Sequence, residues 1–122
     1  MIIHGKERKF LLTVQASIDV AEMCPDGDLS RIGEVLSVDS KLPKSMRMIA
    51  KMIAAMSRGF ESNRKYEEAG YEPDPLTVDE IMALPMQTLK ELQDEALQAF
   101  KSSVEPKIEL KESKKKDGAG GN

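Results

Sequence analysis

Between Lys44 and Phe60 the chain reads KSMRMIAKMIAAMSRGF, and on a helix at about 100° per residue this stretch divides into two opposed faces. Met46, Ile49, Met52, Ile53, Met56 and Phe60 gather on one face. Lys44, Arg47, Lys51 and Arg58 line the other, and Lys65 extends the basic row. A helix so divided must cover its apolar face, either with the rest of the chain or with a partner. The chain has eight methionines and no tryptophan, and 4% of its residues are aromatic, so any core is aliphatic and methionine-filled. Methionine is unbranched and adaptable, and suits both irregular cores and surfaces that accept varied partners. The apolar face therefore has two readings: plain core, or a partly open partner-binding surface shared with Leu89 and Leu92 of the last helix.

Turn and cap signals place this helix within a mainly α domain of four to five helices. Ile2-Ile3 and Phe10-Leu11-Leu12 flank Gly5-Lys6, which predicts an N-terminal β-hairpin with Gly first in its turn. Such a hairpin is marginal alone and needs a helix beneath it. Thr13 is placed to cap a first helix running to about Met23 or Cys24, with Val14, Ile18, Ala21 and Met23 as its apolar stripe; Pro25 stops it. Asp28 caps a short second helix, Leu29 to Ser37, with Gly33 as its weak point. The long helix starts after Pro43 and closes at Gly70, and Gly59 is a place where it could bend. Thr77 and Glu80 form a capping box, with Leu76 and Ile81 as its hydrophobic staple. Pro85 opens a last helix to about Ser103, striped by Leu89, Leu92, Ala96, Ala99 and Phe100. The domain so defined spans residues 1–104, and residues 105–122, a Lys/Glu run ending in a Gly-rich segment, are expected to be a tail disordered in isolation.

The formal net charge of −3 conceals a segregation. Lys44 to Lys65 holds six basic residues against Glu61 alone, and Glu67 to Glu80 holds six acidic residues and no basic one. That pattern can pair segments within one molecule or between copies, so self-association is a candidate. With an acidic segment directly following, the row Lys44, Arg47, Lys51, Arg58 and Lys65 reads as a solvated face more readily than as a phosphate stripe. Neither nucleic acid nor membrane is the expected partner.

The inventory of reactive groups argues against an enzyme. One histidine, His4, and one cysteine, Cys24, cannot make a structural zinc site, and nothing pairs a nucleophile with an oriented base. No Gly-rich phosphate loop follows a strand, so no cofactor is expected. A lone cysteine excludes an internal disulfide and fits a reducing compartment. The N-terminus carries no signal-peptide run, so a cytoplasmic location is expected.

Several blocks in order resemble the tail assembly chaperones of long-tailed bacteriophages and prophages, especially those of Gram-positive hosts. The blocks are IIHGKERKFLLTV, ASIDVAEMCPDGDLSRIGEVL, the Ala/Met/Ile-rich helix ending at Gly59-Phe60, YEPDPLTVDEIMALP and LQDEALQAF. Together they cover roughly residues 1 to 105. The resemblance implies a protein that coats the tape-measure protein, helps tail-tube subunits polymerise around it and is absent from the finished virion. It also implies, for many such genes, a longer product made by programmed frameshifting. It supplies no catalytic residues. The competing reading is a small helical adaptor or regulator of a mobile element that binds a protein target through the Met-rich helix.

Overall fold

The computed structural model describes residues 1–32, 34 and 43–118, with side chains described as far as Ser103 among these. It is a mainly helical domain with an N-terminal hairpin, as the sequence predicts. Strands β1 (Ile2–Ile3) and β2 (Lys6–Glu7) pair antiparallel, Ile2 with Glu7 and Ile3 with Lys6. Helices α1 (Val14–Met23), α2 (Pro43–Glu67), α3 (Val78–Met82) and α4 (Met86–Gly118) follow, with 3-10 turns at Pro25–Gly27 and Leu29–Arg31.

The hairpin differs in register from the sequence reading. Its turn is His4-Gly5, with φ of +52° and +80°, and its second strand is Lys6–Glu7, not Phe10-Leu11-Leu12. A two-residue turn with both central φ positive matches the twist of the strands, and Gly at the second position carries the larger departure without cost. The shift sends Ile3 into the core and leaves Ile2 in solvent. Residues Phe10 to Leu12 run instead as an irregular segment over α2, where the Leu11 N–H donates to the Met56 carbonyl at 3.1 Å.

The local caps follow the sequence closely. Thr13 Oγ1 accepts from the Ala16 N–H at 3.1 Å, and α1 ends before Pro25. Asp28 caps the turn at Leu29–Arg31 by accepting from the Ser30 N–H. In the capping box, Thr77 Oγ1 accepts from the Glu80 N–H at 3.1 Å, and Glu80 Oε1 accepts from the Thr77 N–H at 2.9 Å. Leu76 and Ile81, the staple, are both buried. Gly70 takes φ +81° just past the end of α2.

Beyond Arg31 the expected second helix largely lies outside the described residues, including Gly33, Val35 and Leu36; Ile32 is buried and Glu34 is helical. The backbone of α4 is helical to Gly118, past the expected end near Ser103. Lys and Glu favour helix, so a Lys/Glu run continues that backbone without needing a buried face. The side chains of 104–118 and all of 119–122, most of the expected tail, lie outside the described residues. The last side chain of the described core is Phe100.

Two apolar clusters meet on α2. One joins Ile49, Ala50, Ile53, Ala54 and Met56 to Ile3, Leu76, Ile81, Leu89, Leu92 and Ala96. The other joins Met52 and Ala55 to Val20, Cys24 and Ile32. The helix is thus enclosed by the hairpin, α3 and α4 on one side and by α1 on the other.

Candidate functional site

The candidate partner-binding surface read from the sequence is, in the folded chain, its core. Ile49, Met52, Ile53, Met56 and Leu92 are each 0% exposed and Leu89 is 6% exposed. Met46 and Phe60, at the two ends, are half-buried. The reason lies in residues that the two-faced reading left unassigned. Ala50, Ala54, Ala55, Ser57 and Gly59 are buried as well, so a second layer closes over the side of α2 that small residues leave accessible. Small side chains let backbones approach, and close approach fills space with van der Waals contact. In the folded monomer Ile49, Met52, Ile53, Met56 and Leu92 are therefore covered, and of this face Met46 and Phe60 keep partial exposure.

α1 shows the same effect in reverse. Of the expected stripe, Val14 is 80% and Ile18 48% exposed, and Ala21 and Met23 are half-buried, whereas Ala16, Val20 and Cys24 are the buried residues. Ala16 faces Gly59, so the smaller stripe lets α1 lie against α2. Arg58 on α2 fixes the contact from outside, 3.3 Å from Asp19.

A polar cluster that the sequence reading did not anticipate joins the hairpin to the loop after α2. Glu61, 3% exposed, accepts from Tyr71 Oη, from the Asp74 N–H at 2.8 Å and from Lys6 Nζ at 3.3 Å. Burial alone would raise its pKa, but these donors, Tyr71 foremost, together hold the carboxyl below the usual glutamate value. Lys6 also donates to Tyr71 Oη at 3.0 Å, and chiefly through that bond its ammonium is pushed above the usual lysine value. Arg8, 4% exposed, donates to the Asp74 carbonyl and lies 3.6 Å from its carboxylate, while its Nε is buried without a partner. Beneath this, Ser57 Oγ accepts from the Leu76 N–H at 2.8 Å. Glu61 is the one acidic residue in a basic stretch, and that isolation was the signal available in the sequence. All three donors converge on Glu61 Oε1, so the buried carboxylate ties the hairpin to the loop after α2 as a clasp.

The basic row is on the surface but is not one stripe in function. Arg58 is spent on Asp19, and Lys65 leans over the Tyr66 ring, 5.8 Å from its centroid. Lys44, Arg47 and Lys51 are exposed and make no ion pair among the described residues. The acidic segment expected to neutralise the row is engaged elsewhere: Asp74 with Lys6 and Arg8, Glu68 with Arg64, Glu80 in its cap. Beside Lys44 an open hollow of about 440 Å³ is lined by Met23, Cys24, Pro25, Glu34, Ser45 and Met48. A second, of about 270 Å³, lies between Lys44, Arg47, Met48 and Lys51. The two share Lys44 and Met48, so a groove with methionine on its floor and a basic ridge along its α2 side can be drawn through them.

The groove carries no catalytic equipment. Cys24 on its wall is buried, and burial, with the nearby Asp28 carboxylate, pushes its thiol above the ordinary value, so it is protonated and behaves as an apolar group. Among the described residues no cluster of His, Cys, Asp or Glu could hold a metal ion, and no helix is long and apolar enough to cross a membrane. What the groove offers is contact area and positive charge.

Comparison with known proteins adds no relative: no protein-family model, no curated protein and no solved structure matches the chain.

Proposed function

We propose that this protein is a tail assembly chaperone of a long-tailed bacteriophage or prophage. It binds the tape-measure protein in the host cytoplasm, assists polymerisation of the tail tube around it, and is left out of the finished particle. Its work is binding, not catalysis, and a frameshifted longer product is part of the proposal. The observation that carries the reading is the order of resembling blocks across residues 1 to 105, from IIHGKERKFLLTV to LQDEALQAF. On this reading the partner contact lies on the surface outside Met52, Ile53 and Met56, which are buried.

Co-expression with a fragment of a tape-measure protein from the same genome tests the proposal. The fragment should move from the insoluble to the soluble fraction and co-purify with the chain. If it stays insoluble with this chain present in excess, the reading fails.

A further inference from the structure

Lys44, Arg47 and Lys51 stand at spacings of three and four residues on one exposed face of α2, so they form a row about 10 Å long. Mutual repulsion along such a row is unfavourable, and nothing in the first turn of α2 offsets it, because that turn contains no acidic residue. The row borders hollows that present apolar surface, the larger lined by half-buried Met23 and Met48 and the smaller by Met48. Among the described residues the one carboxylate lining them, Glu34, is held by Arg31 through bonds of 2.7 and 2.9 Å and so is not available to the ridge.

We propose that this groove, between the C-terminal end of α1 and the first half of α2, binds an acidic amphipathic helix of a partner protein. The proposal rests on reading the chain as a partner-binding protein and names the chemistry of the segment it takes. Apolar side chains of the incoming helix, at the i, i+3, i+4, i+7 spacing of helix-in-groove recognition, fill the hollows against Met23 and Met48. Its carboxylates, repeating every three or four residues, meet Lys44, Arg47 and Lys51, which match that spacing. Methionine walls tolerate variation in the apolar side chains, while the ridge selects the sign of the flanking charge. Nucleic acid fits less well: three cations are few for a phosphate track, and an apolar methionine groove offers bases no aromatic platform.

The test uses the full chain and fluorescein-labelled designed peptides of about twenty residues, long enough to cross the groove. One peptide carries Leu and Met on one face and Glu on the other; a second replaces every Glu by Lys; a third scrambles the first. The acidic amphipathic peptide should bind, weaken as salt is raised, and lose at least about tenfold in affinity to the triple variant K44E/R47E/K51E. The three positions are exposed, so an unchanged thermal melt of the variant will show that the fold is intact. Met48→Gln should weaken binding with the ridge in place. The proposal is overturned if the acidic peptide does not bind, if the Lys or scrambled peptide binds as well, or if the triple variant binds equally. Tight, salt-sensitive binding of duplex DNA through the same three residues would overturn it in favour of a nucleic-acid site. A dimer of the free protein that the triple variant dissociates would overturn it in favour of a second copy. The triple variant in the tape-measure co-expression separates the two readings. If the fragment is solubilised by both forms, the groove assignment falls and the chaperone reading stands. If the peptide binds but no tape-measure fragment is solubilised, the groove stands and the chaperone reading falls.

Discussion

The carbonyl oxygen of Leu11 occupies the space where a side chain on Gly59 would begin: a Cβ there would lie 2.3 Å from that oxygen, and 3.2 Å from both Ala16 Cβ and Thr13 Oγ1. α2 runs through Gly59 without interruption, so this glycine marks a crossing of two backbones and not a hinge. The segment leading from the hairpin into α1 is laid across the long helix at this point. The position of α1, and with it the α1 wall of the groove, follows from that crossing.

Gly59→Ala should destabilise the protein by about 3 kcal/mol, the upper end of the overpacking range, because the neighbour that would have to give way is backbone. At an exposed helical position the same substitution would stabilise by close to 1 kcal/mol through helix propensity. Urea unfolding therefore reads the sign directly, and a raised midpoint would contradict the crossing.

Met52→Ala should cost about 2–5 kcal/mol, as expected for removal of a fully buried side chain, whereas Lys51→Ala, one residue away, should change stability by less than about 0.5 kcal/mol. Circular dichroism melts of the two variants side by side would show it. Equal, small effects would mean that the methionine face is open after all.

Glu61→Gln should cost about 2 kcal/mol at neutral pH and flatten the acid limb of the stability curve. Folding lowers the Glu61 pKa below its ordinary 4.5, so as pH falls past that value the unfolded chain takes up the proton first. The stabilisation is complete above that value and is lost as pH drops through the lower, folded pKa. Glu80, whose carboxyl is lowered mainly by its bond from the Thr77 N–H, loses its contribution in the same direction and will leave the variant some residual acid sensitivity. Urea midpoints between pH 7 and 3 would separate the two. A variant curve parallel to that of the parent would remove the clasp from the stability account.

Val14→Ser and Ile18→Ser should each alter stability by no more than about 0.5 kcal/mol, because both side chains are largely in water already. Val20→Ser, on the buried stripe of the same helix, should cost several times more, since it places a hydroxyl where Val20 is 0% exposed. Reversal of that order would restore the stripe read from the sequence.

The sequence by itself determined those features whose causes lie within a few residues. Thr13, Asp28, Pro25, Gly70 and the Thr77–Glu80 box are set by local hydrogen bonds and φ restrictions, and all five stand where the pattern put them. Apolar spacing likewise marked α2 and α4 and supplied the large buried side chains of both, Ile49, Met52, Ile53, Met56, Leu89 and Leu92, but not the small ones of α2. Tertiary structure decided which apolar faces are covered, and from what distance. Periodicity showed that α1 and α2 each have an apolar face; it could not rank Val14–Ile18 against Ala16–Val20, because the choice depends on how closely Gly59 lets another backbone approach. The hairpin register was open for a related reason, since a one-residue slip exchanges Ile2 for Ile3 at the core and only the underlying helix discriminates between them. The same holds for charge. Lys44, Arg47 and Lys51 make no ion pair among the described residues; the Arg64–Glu68 pair is local, at i,i+4, whereas folding took Asp74 to Lys6 and Arg8 of the hairpin segment, partners that sequence distance does not reveal.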